Sequence, residues 1–108
     1  MDPNAEKLAR NEALFREVNE RVRDVTYAFE TSEADLVCEC GDPTCLAPIA
    51  GVRLDEYEAV RRAPARFILR VGHDDPRVER VVEETDRFIV VEKLGEGADI
   101  ARELDPRG

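Results

Sequence analysis

Three cysteines set close together in Cys38-Glu39-Cys40-Gly41-Asp42-Pro43-Thr44-Cys45, with the chain's one histidine at His73, constrain this sequence more than any other feature. Residues two apart on a regular strand point to opposite faces, so Cys38 and Cys40 can meet only if the chain turns between them. Gly41 permits that turn by adopting positive φ, and Asp42-Pro43 carries the loop round until Cys45 comes back within reach. Three thiolates then converge, and a structural zinc ion wants four tetrahedral ligands. His73, set between Gly72 and Asp74-Asp75 just after an apolar run, is the natural fourth, and Asp74 or Asp75 could orient its second nitrogen. Water, Asp35, Asp42 or Glu39 are the alternatives for that fourth position. An odd number of cysteines, two of them one residue apart, suits such a cluster better than a disulfide framework. The expected site is therefore a Cys3His centre of Cys38, Cys40, Cys45 and His73, holding a structural Zn2+ in a zinc-finger-like loop.

At 108 residues the chain is expected to form one domain over 1–108, small enough for a structural metal to add meaningfully to its stability. Aromatic residues are only 6% and tryptophan is absent, so the core must be aliphatic. No stretch approaches the roughly 20 apolar residues of a membrane span. Met1-Asp2-Pro3-Asn4-Ala5-Glu6 lacks the basic and apolar regions of a signal peptide, which points to the cytoplasm, where thiols stay reduced. A net charge of −9 makes a nucleic-acid partner a poor expectation, because phosphate-backbone binders rely on Lys and Arg. Residues 53–70 run against this trend, with Arg53, Arg61, Arg62, Arg66 and Arg70 against Asp55, Glu56 and Glu58. A charge run of this kind is read as a solvated face with helix ion pairs.

The pattern of elements is that of an α+β fold: a long N-terminal helix, then a small antiparallel sheet with short helices built around the metal site. Asp2 as N-cap and Pro3 at the first helical position open the helix. Leu8, Asn11, Phe15, Val18, Val22, Val25 and Phe29 recur at spacings of three and four, a heptad-like apolar stripe with one polar position. A helix over residues 3–30 would be about 42 Å long at 1.5 Å per residue. It must project from the 34–108 body and meet a partner, with Asn11 setting the register of a homodimer, or bend near Val25-Thr26-Tyr27 and pack on its own sheet. Thr31-Ser32-Glu33 ends this N-terminal segment of 1–31.

A short strand over 34–37 delivers the chain to Cys38, and 49–54 is a returning strand. Asp55 caps a helix through Arg62 that stops before Pro64. Residues 66–71 are a strand. Residues 76–84 fit either a helix capped by Asp75 or a strand; we favour a hairpin of 78–84 with the firm strand 87–93 around Thr85-Asp86. Gly95 and Gly97 break that strand, and 98–104 forms a last helix.

The helix sequence Asn11-Glu12-Ala13-Leu14-Phe15-Arg16-Glu17-Val18-Asn19-Glu20-Arg21, the cysteine loop, and Leu54-Asp55-Glu56-Tyr57-Glu58-Ala59-Val60-Arg61 together resemble a group of small, uncharacterised bacterial proteins, mostly of actinobacterial type. The resemblance spans nearly the whole chain, including Gly72-His73 and Val90-Val91-Glu92-Lys93. It implies a free-standing protein of this length and supplies no activity.

No phosphate-cradling glycine motif is present, and the one histidine is claimed by the metal, so no spare imidazole remains for a nucleophile and base pair. The expected function is a cytoplasmic zinc-binding interaction or regulatory module, pairing through its N-terminal helix with itself or another protein. The alternative is a zinc or thiol enzyme, or a redox sensor, with an open metal position in place of His73.

Overall fold

The computed structural model describes residues 3–45 and 47–108; Asp2, the expected N-cap, lies outside them. The architecture is the expected α+β one. Helix α1 (Pro3–Ala28) is followed by strands β1 (Glu33–Val37) and β2 (Pro48–Arg53), then helix α2 (Leu54–Arg61) and strand β3 (Arg66–Leu69). Strands β4 (Glu79–Glu84) and β5 (Ile89–Lys93) and helix α3 (Gly95–Glu103) complete it. The molecule measures 42 × 29 × 24 Å, and α1, about 39 Å long at 1.5 Å per residue, matches its long axis.

Among the described residues the strands form two sheets. β1 and β2 form an antiparallel pair running from Glu33 opposite Arg53 to Val37 opposite Pro48. The second sheet has the order β3-β5-β4, all antiparallel. The hairpin reading of 76–84 is the one observed: Val81 pairs with Val91, and Thr85 N–H donates to Phe88 O to close the turn. β5 lies in the middle and buries Ile89, Val90 and Val91 in succession, as a strand covered on both faces should. Around it Phe67, Ile68, Leu69, Leu36, Ile49, Val52, Tyr57 and Val60 form one apolar cluster.

Several boundaries differ from expectation: β3 ends at Leu69 where the sequence reading ran to 71, and β5 starts at Ile89 where it began at 87. α2 starts at Leu54, with the Glu56 carboxylate accepting from Arg53 N–H, so Asp55 sits in the first turn and its carboxylate accepts from Glu56 N–H. Gly95 and Gly97 lie inside α3 and do not precede it. Gly97 is there for contact, since a Cβ would lie 3.2 Å from Lys93 Cε.

α1 departs furthest from the sequence reading. Its buried residues are Ala9, Glu12, Ala13, Arg16, Asn19 and Thr26, a face that is mostly polar. Arg16 donates to Pro64 O (2.5 Å) and Ala101 O (2.7 Å) and stacks 4.6 Å from the Phe67 ring centroid. Glu20 accepts from Arg61 and Arg107, and Glu58 of α2 accepts from Arg23 and Arg107, clasping the C-terminal half of α1 to α2 and the chain end. The heptad stripe is split: Leu8, Asn11, Phe15 and Val22 are half-buried, whereas Val18, Val25 and Phe29 are exposed. Asn11 donates to Gly41 O in its own chain, so it does not set a dimer register. The helix ends in paired bonds, Thr31 N–H to Thr26 O and Glu30 N–H to Tyr27 O, with Glu30 in the left-handed region at φ 58°.

Lys93, at the end of β5, is buried between two carboxylates. Its Nζ is 2.9 Å from Glu12 Oε1 and 3.0 Å from Glu79 Oε1. Burial is the largest influence on Glu12 and pushes its pKa from 4.5 up to about 8, against the pull of Lys93. A raised carboxyl pKa means the native state holds a proton that the unfolded chain gives up, so this contribution is full below about pH 4.5 and is lost as pH rises to about 8. With metal saturating, the unfolding free energy of the wild type minus that of Glu12→Gln should fall between pH 5 and 8. A difference that stays flat across this range would show that Glu12 is not held protonated.

Candidate metal centre

The centre is assembled from three pieces of backbone. β1 runs out at Val37 and hands the chain to Cys38, which is buried. Glu39 N–H then donates to Ile68 O, which fixes the next residue against the open edge of β3. Gly41 turns the chain at φ 81°, and Asp42 closes the loop by accepting from Thr44 through both N–H (2.8 Å) and Oγ1 (2.7 Å), while Cys45 N–H donates to Asp42 O. On the other side β3 ends in a turn, His73 N–H to Arg70 O, with Gly72 at φ 84°. That turn brings the His73 ring over the loop.

Cys38, Cys40, Cys45 and His73 each offer one ligand atom, and these four atoms lie within 4.8 Å of one another. His73 Nδ1 is 3.6 Å from Cys38 Sγ and 3.5 Å from Cys45 Sγ. Zinc with Zn–S of about 2.3 Å and Zn–N of about 2.0–2.1 Å at tetrahedral angles sets S···N at about 3.5–3.6 Å. The donor set and the spacing thus fit a tetrahedral metal ion, held on the histidine side through Nδ1. The structure brings all four expected residues together.

The competing oxygens are engaged elsewhere. Asp35 accepts from Gly51 N–H at 3.0 Å, Asp42 from Thr44, and Glu39 from Asn19 and Ile68. Neither neighbouring aspartate is seen on the His73 ring: Asp75 binds Arg77 through both carboxylate oxygens, and no bond from Asp74 to the ring is observed. Asp42 is the carboxylate near enough to feel His73, and its pKa is lowered, mainly by its bonds to Thr44.

Burial disfavours the thiolate form of two of the loop cysteines. Burial is the largest influence on Cys38 and on Cys40 and pushes both thiols up, against N–H donors from Arg70 to Cys38 and from Asp42 to Cys40. Metal binding must then displace protons, as it does at thiolate sites in general.

Asn19, which the sequence reading did not single out, and Glu39, which it offered only as an alternative ligand, support the centre. Asn19, fully buried on α1, grips Val37 from both sides, donating to its O (2.8 Å) and accepting from its N–H (2.9 Å), and also donates to Glu39 Oε2 (2.7 Å). Glu39, between two ligands, is itself fully buried and accepts from Ile68 N–H with its other oxygen (3.0 Å). Burial pushes its pKa from 4.5 up to about 7, while Asn19 and Ile68 pull it down. Polar residues on a helix flank and next to a cysteine carry no pattern by which sequence periodicity could mark them.

Comparison with known proteins finds no matching family model, no matching curated protein and no matching solved structure, so the class of the centre rests on its geometry: a Cys3His group that could hold a metal ion, on an α+β body.

Gly41 is the tightest point of the loop. A Cβ there would lie 2.6 Å from Leu8 Cδ1, 2.7 Å from Glu12 Cγ and 3.0 Å from Leu8 O, at a φ that side chains disfavour. Gly41→Ala should lower the unfolding free energy by at least about 1–3 kcal/mol. An unchanged denaturation midpoint would show that this approach is not a constraint on the fold.

Proposed function

We propose that the chain is a zinc-binding interaction module whose metal is structural, acting in the cytoplasm. The observation that carries this is the convergence of four ligand atoms within 4.8 Å, with His73 Nδ1 at the S···N spacing of a tetrahedral ion from Cys38 and Cys45. A centre saturated by protein leaves no position for water or substrate, which favours a structural over a catalytic metal. Structural zinc of this kind contributes about 10–16 kcal/mol of binding free energy near pH 7, a large quantity for a domain of this size. Thiolate-rich sites also accept iron, but a closed tetrahedral site of sulfur and nitrogen suits zinc. The reading as an enzyme or redox sensor with an open metal position requires His73 to stand away from the ion, and the approach of its Nδ1 weighs against it.

The interaction role falls to α1. Leu14, Val18 and Val25 are 56%, 38% and 57% exposed and, at 100° per residue, stand on the side of the helix opposite its buried face. The occupant we propose is a second copy of the chain, antiparallel to the first, because this face complements itself. Reversal sets Leu14 opposite Val25 and brings Glu17 of one copy beside Arg21 of the other, two residues that already pair within the helix at 3.8 Å.

Native mass spectrometry of protein purified without chelator should read one zinc per chain and a dimer mass, and Val18→Glu should leave the zinc and give the monomer. A zinc-loaded wild-type monomer would remove the self-pairing, and a folded, metal-free chain would remove the structural-metal reading. His73→Ala should lose zinc and unfold; retention of both metal and fold would restore the open-site alternative.

A further inference from the structure

We infer that the junction of α1, α2 and α3 is a binding site for one buried water molecule, which accepts from Arg16 Nε and Arg61 Nη1 and bridges both to the Tyr57 hydroxyl. The site uses none of the four expected metal ligands and stands apart from the metal reading.

The first observation is a set of orphaned polar atoms. Arg16, Arg61 and Tyr57 are all buried. Arg16 donates through Nη1 to Pro64 O and through Nη2 to Ala101 O, and Arg61 donates through Nε to Glu20 and through Nη2 to Asp105. Arg16 Nε, Arg61 Nη1 and the Tyr57 hydroxyl are left buried and without a hydrogen-bond partner in the protein. Buried polar groups of this kind are the usual hosts of internal water, which typically makes about three hydrogen bonds.

The second observation is that the three groups belong to one place. Arg16 and Glu20 are neighbours on one face of α1, and Ala101 and Asp105 are four residues apart at the end of α3. Arg16 binds Ala101, while Arg61 binds Glu20 and Asp105, so the two guanidiniums lie side by side. Tyr57 stands one turn before Arg61 on the same face of α2. After burial, the charge of Arg61 is the strongest influence on Arg16 and lowers its pKa. An oxygen accepting from both cations offsets that repulsion. A water suits the place better than a halide, because Glu20, Glu58 and Asp105 already pair with Arg61 and Arg107 and leave the junction no surplus positive charge. The hydroxyl can donate to the water or accept from it, so one molecule satisfies all three groups.

A crystal structure of the protein as purified, grown in bromide, reads the site directly. One ordered water should lie within about 3.2 Å of at least two of the three atoms, with no anomalous signal. Absence of such a water overturns the inference, as do direct bonds from these atoms to protein acceptors. An anomalous bromide peak at the junction also overturns it, by making the ligand an anion. Tyr57→Phe gives an independent reading through stability. A hydroxyl bonded to water contributes to the fold, so the unfolding equilibrium constant should rise about fivefold in the variant. A constant equal to or below that of the wild type overturns the inference, because deleting a buried hydroxyl that makes no bond removes a cost.

Discussion

Among the described residues the two small sheets share no strand pairing, and the loop between Cys38 and Cys45 joins them along the edge of β3. Glu39 makes the seam. Its N–H donates to Ile68 O and its carboxylate accepts from Ile68 N–H, so one residue gives β3 both bonds that a neighbouring strand would have given. Arg70 N–H continues the edge by donating to Cys38 Sγ at 3.2 Å. A metal held by Cys38, Cys40, Cys45 and His73 would tie the end of β1 to the turn after β3, and Asn11 and Asn19 of α1 bind this loop.

Burial of Glu39 would be costly by itself, because an ionised carboxylate without partners does not survive in an apolar interior. Two N–H donors, from Asn19 and Ile68, reduce that cost at its oxygens, and its own N–H is satisfied by donating to Ile68 O. The same logic runs along the inner face of α1. Glu12 meets Lys93, Arg16 meets two backbone carbonyls, and Asn19 meets Val37 and Glu39. Each group is placed where a partner waits, so the face specifies one seating of the helix while contributing little apolar burial.

The clustering of Cys38, Cys40 and Cys45, the β3 and β5 strands and the hairpin were legible in the sequence because each has a local signature. Cysteine spacing with a glycine turn marks a metal loop, and continuous valine and isoleucine mark a covered strand. The seating of α1 was not legible. Hydrophobic periodicity assumes that the apolar stripe is the buried one, yet apolar residues also occupy surfaces, and only a buried polar residue is diagnostic. Val18, Val25 and Phe29 lie outside, while Glu12, Arg16 and Asn19 lie inside. Their partners are 18 to 85 residues away in sequence, so no local pattern could have revealed them. The glycines at 95 and 97 misled for a related reason, since one serves a close contact with Lys93 that exists only in the folded chain.

The central claim is that Cys38, Cys40, Cys45 and His73 hold one zinc ion as a closed tetrahedron. X-ray absorption at the zinc edge of the purified protein reads that shell directly. The account predicts three sulfurs at about 2.3 Å and one nitrogen at about 2.0–2.1 Å. A shell with two or fewer sulfurs, or with water oxygen in place of the imidazole nitrogen, would contradict it.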